Sequence, residues 1–351
     1  MKKNNPVVVA VDLFCGAGGL SKGLEKAGVQ PRLGVDLDPY CEYPYTRNNN
    51  AKFSLKSVDK IQPAELQTAF KDADFSLLAG CAPCQPFSTY SQGKDKDERW
   101  GLLNNFKRLI IKARPDLVTM ENVPGLVKQS VFAKFINALE SEGYSTSYSV
   151  VDCSDYGIPQ RRKRLVLLAS LLGPIKLDSP RHSKSSYKTV RDVLGKLEPL
   201  RAGEGSSTDS LHQAATLSPL NLKRIKVSKQ GGTWRDWPQN LVAECHKKLS
   251  GKTYPAVYGR MSWDEPSPTI TTQYFGFGNG RFGHPQQDRA ISLREGAILQ
   301  TFPKSYRFLP PGGEINYKRL GMLIGNAVPV KLGEVIGNSI MRHVINYQPG
   351  S

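Results

Sequence analysis

Val7-Val-Val-Ala-Val-Asp-Leu-Phe-Cys-Gly-Ala-Gly-Gly19 decides the fold. An apolar run of strand length, residues 7–14, ends in a glycine cluster, and residues 20–27 follow as a helix closed by Gly28. Glycines in such a strand-to-helix turn let the backbone approach a ligand and leave the helix's first N–H groups open to it. Asp36 lies at the end of the next apolar run, residues 32–37, where a carboxylate can take up ribose hydroxyls. The motif points to a nucleotide-like cofactor without naming it, and a merely tight turn would use the same glycines.

Working outward, apolar runs alternate with helical patterns as far as residue 177. Strands are predicted over 75–80, 116–121, 149–153 and 164–170. Phe132, Phe135, Ile136 and Leu139 share one helical face that Gly143 stops, and Leu103, Phe106 and Ile110 mark a helix ending before Pro115. This rhythm predicts an α/β fold, a Rossmann-like mostly parallel sheet with helices on both faces. From 178 to 285 it dissolves into Ser, Gly, Pro and Lys-rich sequence, too long for a structureless loop, so a smaller irregular second domain is expected there. Helical periodicity returns at 293–299 and 331–344. The first domain is therefore expected over 1–177, completed by 286–351.

The 351 residues are 39% hydrophobic and 23% charged, enough to bury a real core. Lys and Arg outnumber Asp and Glu by 48 to 31, a net +17 that favours a polyanionic partner. The segment 178–260 holds 15 Lys and Arg against 7 Asp and Glu, so nearly half the excess sits in 83 residues. With no basic amphipathic helix, nucleic acid is the expected partner and no membrane is. The start of the chain lacks signal-peptide character, no 18-residue apolar run stands out, and the six cysteines make no disulfide framework, which points to a reducing cytoplasm.

The chemistry concentrates in Gly80-Cys-Ala-Pro-Cys-Gln-Pro-Phe-Ser88, which presents Cys84 just past a buried strand between two prolines. A thiolate is a strong nucleophile at neutral pH where a cation lowers its pKa. Cys81-Ala-Pro-Cys84 also fits a redox pair or half a zinc site. Yet no second pair and no cysteine–histidine cluster completes a metal shell, so no metal is expected. Glu121, in Glu121-Asn-Val-Pro-Gly125, ends another apolar strand, where an acid is a poor core filler. Arg162 and Arg164 flank the start of a further strand, so alternate side chains can face one cleft. The glycine loop, Asp36, Cys84 and Glu121 all fall at the carboxyl ends of predicted strands, the edge where open α/β sheets bind ligands.

Over nearly its whole length the chain resembles the DNA cytosine-5 methyltransferases, of the bacterial restriction-modification or orphan type. Asp12-Leu-Phe-Cys-Gly-Ala-Gly-Gly19 resembles that family's S-adenosylmethionine loop and Pro83-Cys84-Gln85 its nucleophile motif. Glu121-Asn122-Val123, Gln160-x-Arg162-x-Arg164, Arg294-Glu295 with Gln300-Thr-Phe-Pro303, and Gly325-Asn326-Ala-Val-Pro329 match later blocks in order. Ser57-Val-Asp59-Lys-Ile61 departs from its block, which usually has glycine before the aspartate.

The resemblance implies that Cys84 attacks carbon 6 of a cytosine, making carbon 5 nucleophilic, while Glu121 engages ring nitrogen 3 and the exocyclic amine. Arg164 would hold the ring carbonyl oxygen and Arg162 support the site. S-adenosyl-L-methionine would be held by Phe14, Gly16, Gly18, Gly19, Asp36, Leu37, Asp59, Lys60, Pro83, Leu103, Asn326 and Ala327, leaving as S-adenosyl-L-homocysteine. The target base must rotate out of double-stranded DNA to be reached, with residues 88–100 as a lid over it.

Residues 178–285 would form the target-recognition domain. DNA contacts are expected from Gln85, Ser88, Ser91, Gln92, Gln160, Lys229, Gln230, Gly232, Trp234, Arg235, Arg260 and Thr269. Trp234 and Trp237 fit a small-domain core equally well. A monomer is expected, in the bacterial cytoplasm near the nucleoid, with any cognate restriction endonuclease not physically required. The rivals are a tRNA-methylating member of the family, a nicotinamide-dependent dehydrogenase, and a non-catalytic DNA-binding regulator. The dehydrogenase leaves Cys84 and Glu121 without a role, and the regulator has no need of them.

Overall fold

β1 (Val8–Leu13) is buried on every residue, as a strand covered on both faces must be. In the computed structural model, which describes residues 6–82 and 101–347, it joins β2 (Gln30–Asp36), β3 (Lys52–Leu55), β4 (Phe75–Gly80), β5 (Leu117–Asn122), β6 (Ser145–Asp152) and β7 (Lys163–Ser170). The sheet order is β3-β2-β1-β4-β5-β7-β6. The chain winds from β1 out to β3, then returns to the other side of β1 for β4 and β5. Right-handed crossovers run in opposite directions from that point, which sets helices on both faces and leaves a crevice where the order reverses. Five strands are parallel. β7 runs antiparallel between β5 and β6, pairing Glu121 with Val166 and Asn122 with Leu165.

Two strands depart from the expectation. β3 went unseen because it is four partly exposed residues at a sheet edge. β6 begins four residues earlier than predicted, since Ser145, Thr146 and Ser147 are half-buried polar residues and Tyr148 is exposed, at the other edge, so they carry little apolar signal. Between β1 and β2 the register slips after Ala10, beside Pro31, which has no N–H to give to a ladder.

Two compact units emerge. The first comprises Met1–Asp152, Lys163–Pro180 and Val328–Ser351; the second comprises Cys153–Arg162 and Arg181–Ala327. Residues 286–327, expected with the first domain, thus cluster with the second. Within the first unit, the sheet and the helices Gly101–Ala113 and Ser130–Ser141 bury Leu13, Leu78, Phe106, Met120, Phe135 and Leu139 together, with Phe106 stacked on Phe135 at 6.0 Å.

The C-terminal helix Val330–Asn346 packs on the Gly19–Lys26 helix through glycines. A Cβ on Gly23 would sit 2.3 Å from the Val330 carbonyl oxygen, and one on Gly337 2.6 Å from Ala27 Cβ. The stretch Tyr317–Asn346 is apolar and long enough to cross a bilayer by composition, contrary to the expectation of no such run. It is two helices, Tyr317–Gly325 and Val330–Asn346, and most of its apolar window is buried in the protein.

A hydrogen-bonded chain ties β1 to the helix that follows it. Ser21 Oγ donates to Asp12 Oδ2 at 2.7 Å and lies 2.9 Å from the Tyr45 hydroxyl. Tyr45 lies so close to β2 that a Cβ on Gly34 would meet its ring at 2.2 Å. Asp12 is buried, and its Oδ1 has no hydrogen-bond partner among the described residues. Burial, reinforced by the charge of Asp36 and opposed by the Ser21 hydrogen bond, raises its pKa to about 7.

In the second unit the described residues pair in β fashion only as isolated bridges, among short helices and around an aromatic core of Trp234, Trp237 and Phe277.

Two predictions follow from this packing. Alanine favours an ordinary helix, but Gly23→Ala should lower stability by about 2 kcal/mol because the clash is with backbone. A urea midpoint at or above wild type would refute that. Asp12, ionised in the unfolded chain above about pH 4, keeps its proton in the fold up to about pH 7. Its contribution to stability is therefore complete below pH 4 and lost as pH rises through 7. Asp12→Asn retains an acceptor for Ser21, so its urea midpoint should rise relative to wild type between pH 5 and pH 8. An equal difference at both pH values would reject the assignment.

Candidate active site

The end of β1 is conformationally forced. Phe14 has φ 60°, unusual for a residue with a side chain, and Gly16 and Gly18 follow at 53° and 85°. Gly16 N–H donates to Asp36 Oδ2 at 2.9 Å, and Asp38 N–H to Asp36 Oδ1 at 3.0 Å. Asp36 at the end of β2 therefore shapes the loop at the end of β1. Nothing lies within 4 Å of where a Cβ on Gly16 would be, and the helix starting at Gly19 has no side-chain N-cap. Leu37 stands 69% exposed beside Asp36. A glycine turn with open space at Gly16, an uncapped helix N-terminus, a carboxylate and an uncovered apolar side chain fit the sugar and base of a nucleoside cofactor.

The loop carrying Asp59 and Lys60 is exposed; the Ser57 hydroxyl, first, and the Lys60 charge hold Asp59 below the usual carboxylate range. Sequence reasoning missed the residue that braces this loop. Arg108, on the Gly101–Ala113 helix, donates to the carbonyl oxygens of Val58, Asp59 and Ile61 at 3.1–3.3 Å. A single arginine on a helix carries no periodic signal that could have marked it. Leu103, on the same helix, lies in the core cluster beneath the sheet.

At the end of β5, Glu121 is 3% exposed. Arg164 Nε stands 2.9 Å from its Oε1, and Cys81 Sγ stands 3.0 Å from its Oε2. The antiparallel course of β7 is what delivers Arg164 here, since the start of that strand lies at the edge where β5 ends. Asn122 continues the same edge, its Nδ2 donating to the Ala82 carbonyl at 2.9 Å. The Cys81 N–H donates to the Leu13 carbonyl at 3.3 Å, so the ends of β1, β4 and β5 are tied together. Desolvation, then the neighbouring Glu121, pushes the Cys81 thiol well above its ordinary pKa. Cys81 had been legible only as half of a C-x-x-C. Its role beside Glu121 needed the β4–β5 register, 40 residues apart in the chain. Pro83, Cys84, Gln85, Ser88, Ser91 and Gln92, and the proposed lid over 88–100, lie outside the described residues. Among the described residues no group of three His, Cys, Asp or Glu side chains could hold a metal.

In the second unit, Arg162, expected to support the catalytic site, and Gln160, Trp234 and Arg260, expected to contact DNA, turn inward. Arg162 is buried and donates to the carbonyls of Ile270, Gly325 and Ala327 at 3.0–3.3 Å, so its guanidinium braces this unit. Gln160 is buried too: its Nε2 reaches Leu299 and Gln300, and its Oε1 accepts the Ile270 N–H. Arg260 donates to the carbonyls of Ile225, Ser228, His284 and Gln287 and to Asp288. Both side chains are drawn inward because irregular backbone leaves carbonyls that buried donors must satisfy. Trp234 is a core residue stacked on His246 at 4.4 Å, and the half-buried Thr269 donates to the Arg161 carbonyl. Lys229, Gln230 and Arg235 are exposed around the half-buried Gly232, with the Arg235 guanidinium over the Trp234 ring. Asn326 is exposed at the end of the Tyr317–Gly325 helix, and the Ala327 carbonyl is held by Arg162 and Gln300.

Comparison with known proteins agrees with this geometry. A family model described as C-5 cytosine-specific DNA methylase matches residues 8–342. The chain is 51% identical over 339 residues to the type II methylase M.HgiDII of Herpetosiphon aurantiacus, covering 96% of both. It is 32% identical to the type II methyltransferase M1.BsuMI of Bacillus subtilis, covering 93% of this chain and 78% of that one. Among solved structures, a candidate DNA modification methyltransferase from an Escherichia coli prophage aligns with TM-score 0.67 at 21% identity, over 97% of this chain and 100% of that one. S. pombe Dnmt2 methyltransferase aligns at 0.60 and 18%, over 97% and 99%. These last two share the fold. The chain therefore belongs to the C-5 cytosine-specific DNA methylase family and is an S-adenosylmethionine-dependent DNA cytosine-5 methyltransferase.

Proposed function

We propose that Cys84 attacks carbon 6 of a cytosine rotated out of double-stranded DNA, and that Glu121 and Arg164 grip the ring while carbon 5 is methylated. Carbon 5 of cytosine is too electron-poor to react with a methyl sulfonium unaided. Bonding of sulfur to carbon 6 pushes electron density to carbon 5. Glu121 meets that change by hydrogen bonding at ring nitrogen 3 and the exocyclic amine, and Arg164 takes the ring carbonyl oxygen. Loss of the carbon-5 proton to a base then lets the thiolate leave.

The observation carrying this reading is the buried Glu121–Arg164 pair at the sheet edge, with Asn122 pinning residue 82 two positions before Cys84. S-adenosylmethionine, when bound, supplies the electrophilic methyl group. Gly16 and Gly18 would let the turn approach it closely, Gly19 would offer a helix N-terminal N–H, Asp36 would take its ribose hydroxyls and Leu37 would lie against its adenine. Asp59 and Lys60 would line the adenine end, with Phe14 and Pro83 completing the site on the first unit. Lys229, Gln230 and Arg235 would contact DNA from the second unit, acting as the target-recognition domain. The protein would work as a monomer in the bacterial cytoplasm. The type II naming of its relatives favours a restriction-modification setting.

Two experiments test this. Duplex DNA carrying 5-fluorocytosine at the target should trap a covalent adduct at Cys84 in the presence of methyl donor. Cys84→Ser should abolish both adduct and methylation while DNA binding survives. A variant that still methylates at the wild-type rate sinks the covalent mechanism. Arg235→Ala should relax or shift the sequence preference read by bisulfite sequencing, and an unaltered preference would remove Arg235 from base readout.

A further inference from the structure

The carboxyl group of Glu121 is held from both sides by unlike partners. Arg164 Nε stands 2.9 Å from Oε1 without hydrogen-bond geometry, and its Nη1 donates to the Lys163 carbonyl at 2.8 Å. The guanidinium therefore does not form the two-pronged fork that would lock a carboxylate by itself. A carboxyl group touched at one oxygen can still turn about its last bond, because that torsion has a broad profile. The contact that stops the turn is on the other oxygen, where Cys81 Sγ stands 3.0 Å from Oε2.

Cys81 is well suited to that task. Its backbone N–H is bound to the Leu13 carbonyl, so the sheet fixes where its sulfur sits. The thiol is partly buried, and desolvation together with Glu121 keeps it protonated at neutral pH. It is a hydrogen-bond donor here, with little thiolate character of its own.

We propose that Cys81 is a positioning residue for methyl transfer: its thiol donates to Glu121 Oε2, sets the rotation of the carboxyl group, and so fixes which oxygen meets the pairing edge of the cytosine. This rests on the reading of Glu121 given above. It assigns the first cysteine of Cys81-Ala-Pro-Cys84 a function that is neither redox nor metal binding. Loss of this hydrogen bond should slow the chemical step by about tenfold.

The test is single-turnover methylation of a duplex oligonucleotide, with steady-state KM values for DNA and S-adenosylmethionine, in the full-length protein. Cys81→Ala should slow methylation by about tenfold and leave both KM values within about twofold. Cys81→Ser restores a donor at the same place and should recover the rate to within about threefold of wild type. In a Glu121→Gln background, adding Cys81→Ala should change the rate by less than about twofold, because the two residues act as a unit. A wild-type rate in Cys81→Ala, equal losses in the alanine and serine variants, or a full second tenfold loss in the Glu121→Gln background would each overturn the proposal. Wild-type activity in Glu121→Gln would instead sink the role of Glu121 itself, and the Cys81 role with it.

Discussion

The antiparallel register of β7 against β5 is the constraint from which the site follows. In an all-parallel sheet the start of every strand lies at the edge away from the ligand crevice, and a cation at the start of a strand could not meet a carboxylate at the end of its neighbour. By reversing, β7 brings Arg164 to within 2.9 Å of Glu121, although the two are far apart in sequence and come from opposite ends of their strands. The ion pair is almost wholly buried on the Glu121 side, where water cannot screen it. An isolated carboxylate in that place would be costly, so Arg164 is a requirement of the fold.

The other half of the crevice is built by backbone rather than by charge. Phe14, Gly16 and Gly18 take positive φ at alternate positions, and Asp36 holds the result in place through the Gly16 N–H. Strain of this kind persists only where the surroundings over-determine it. Here they do: β1 is buried throughout, and the Asp12–Ser21–Tyr45 chain secures the helix beyond the loop. Close approach of the C-terminal helix, permitted by Gly23 and Gly337, covers that helix from the other side.

The excess of positive charge divides into two populations. Arg162, Arg260, Arg289 and Arg294 are buried, and those in the irregular second unit replace the hydrogen bonds that strands would otherwise supply; Arg289, for example, grips Glu295 with two contacts of 2.7 and 2.8 Å. Only the exposed remainder, including Lys229 and Arg235, is available to a polyanion. Net charge therefore identifies the class of partner, while burial decides which cations can touch it.

The sequence by itself located six of the seven strands, the glycine turn with Asp36 at the next strand end, and Glu121 at the end of another, because hydrophobic period, glycine placement and an acid ending an apolar run are local signals. Its ordered motifs also determined the family. It could not separate Arg162 from Arg164, two residues apart in one basic run: the structure turns one into a brace for three carbonyls and the other into the partner of Glu121. Nor could it show that Gln160 and Arg260 face inward, that Arg108 holds the Asp59 loop, or that Cys81 meets Glu121. Each of those outcomes depends on strand order, on the direction of β7, or on which backbone carbonyls irregular chain leaves unsatisfied. Those are properties of residues brought together from distant parts of the chain, and no local pattern encodes them.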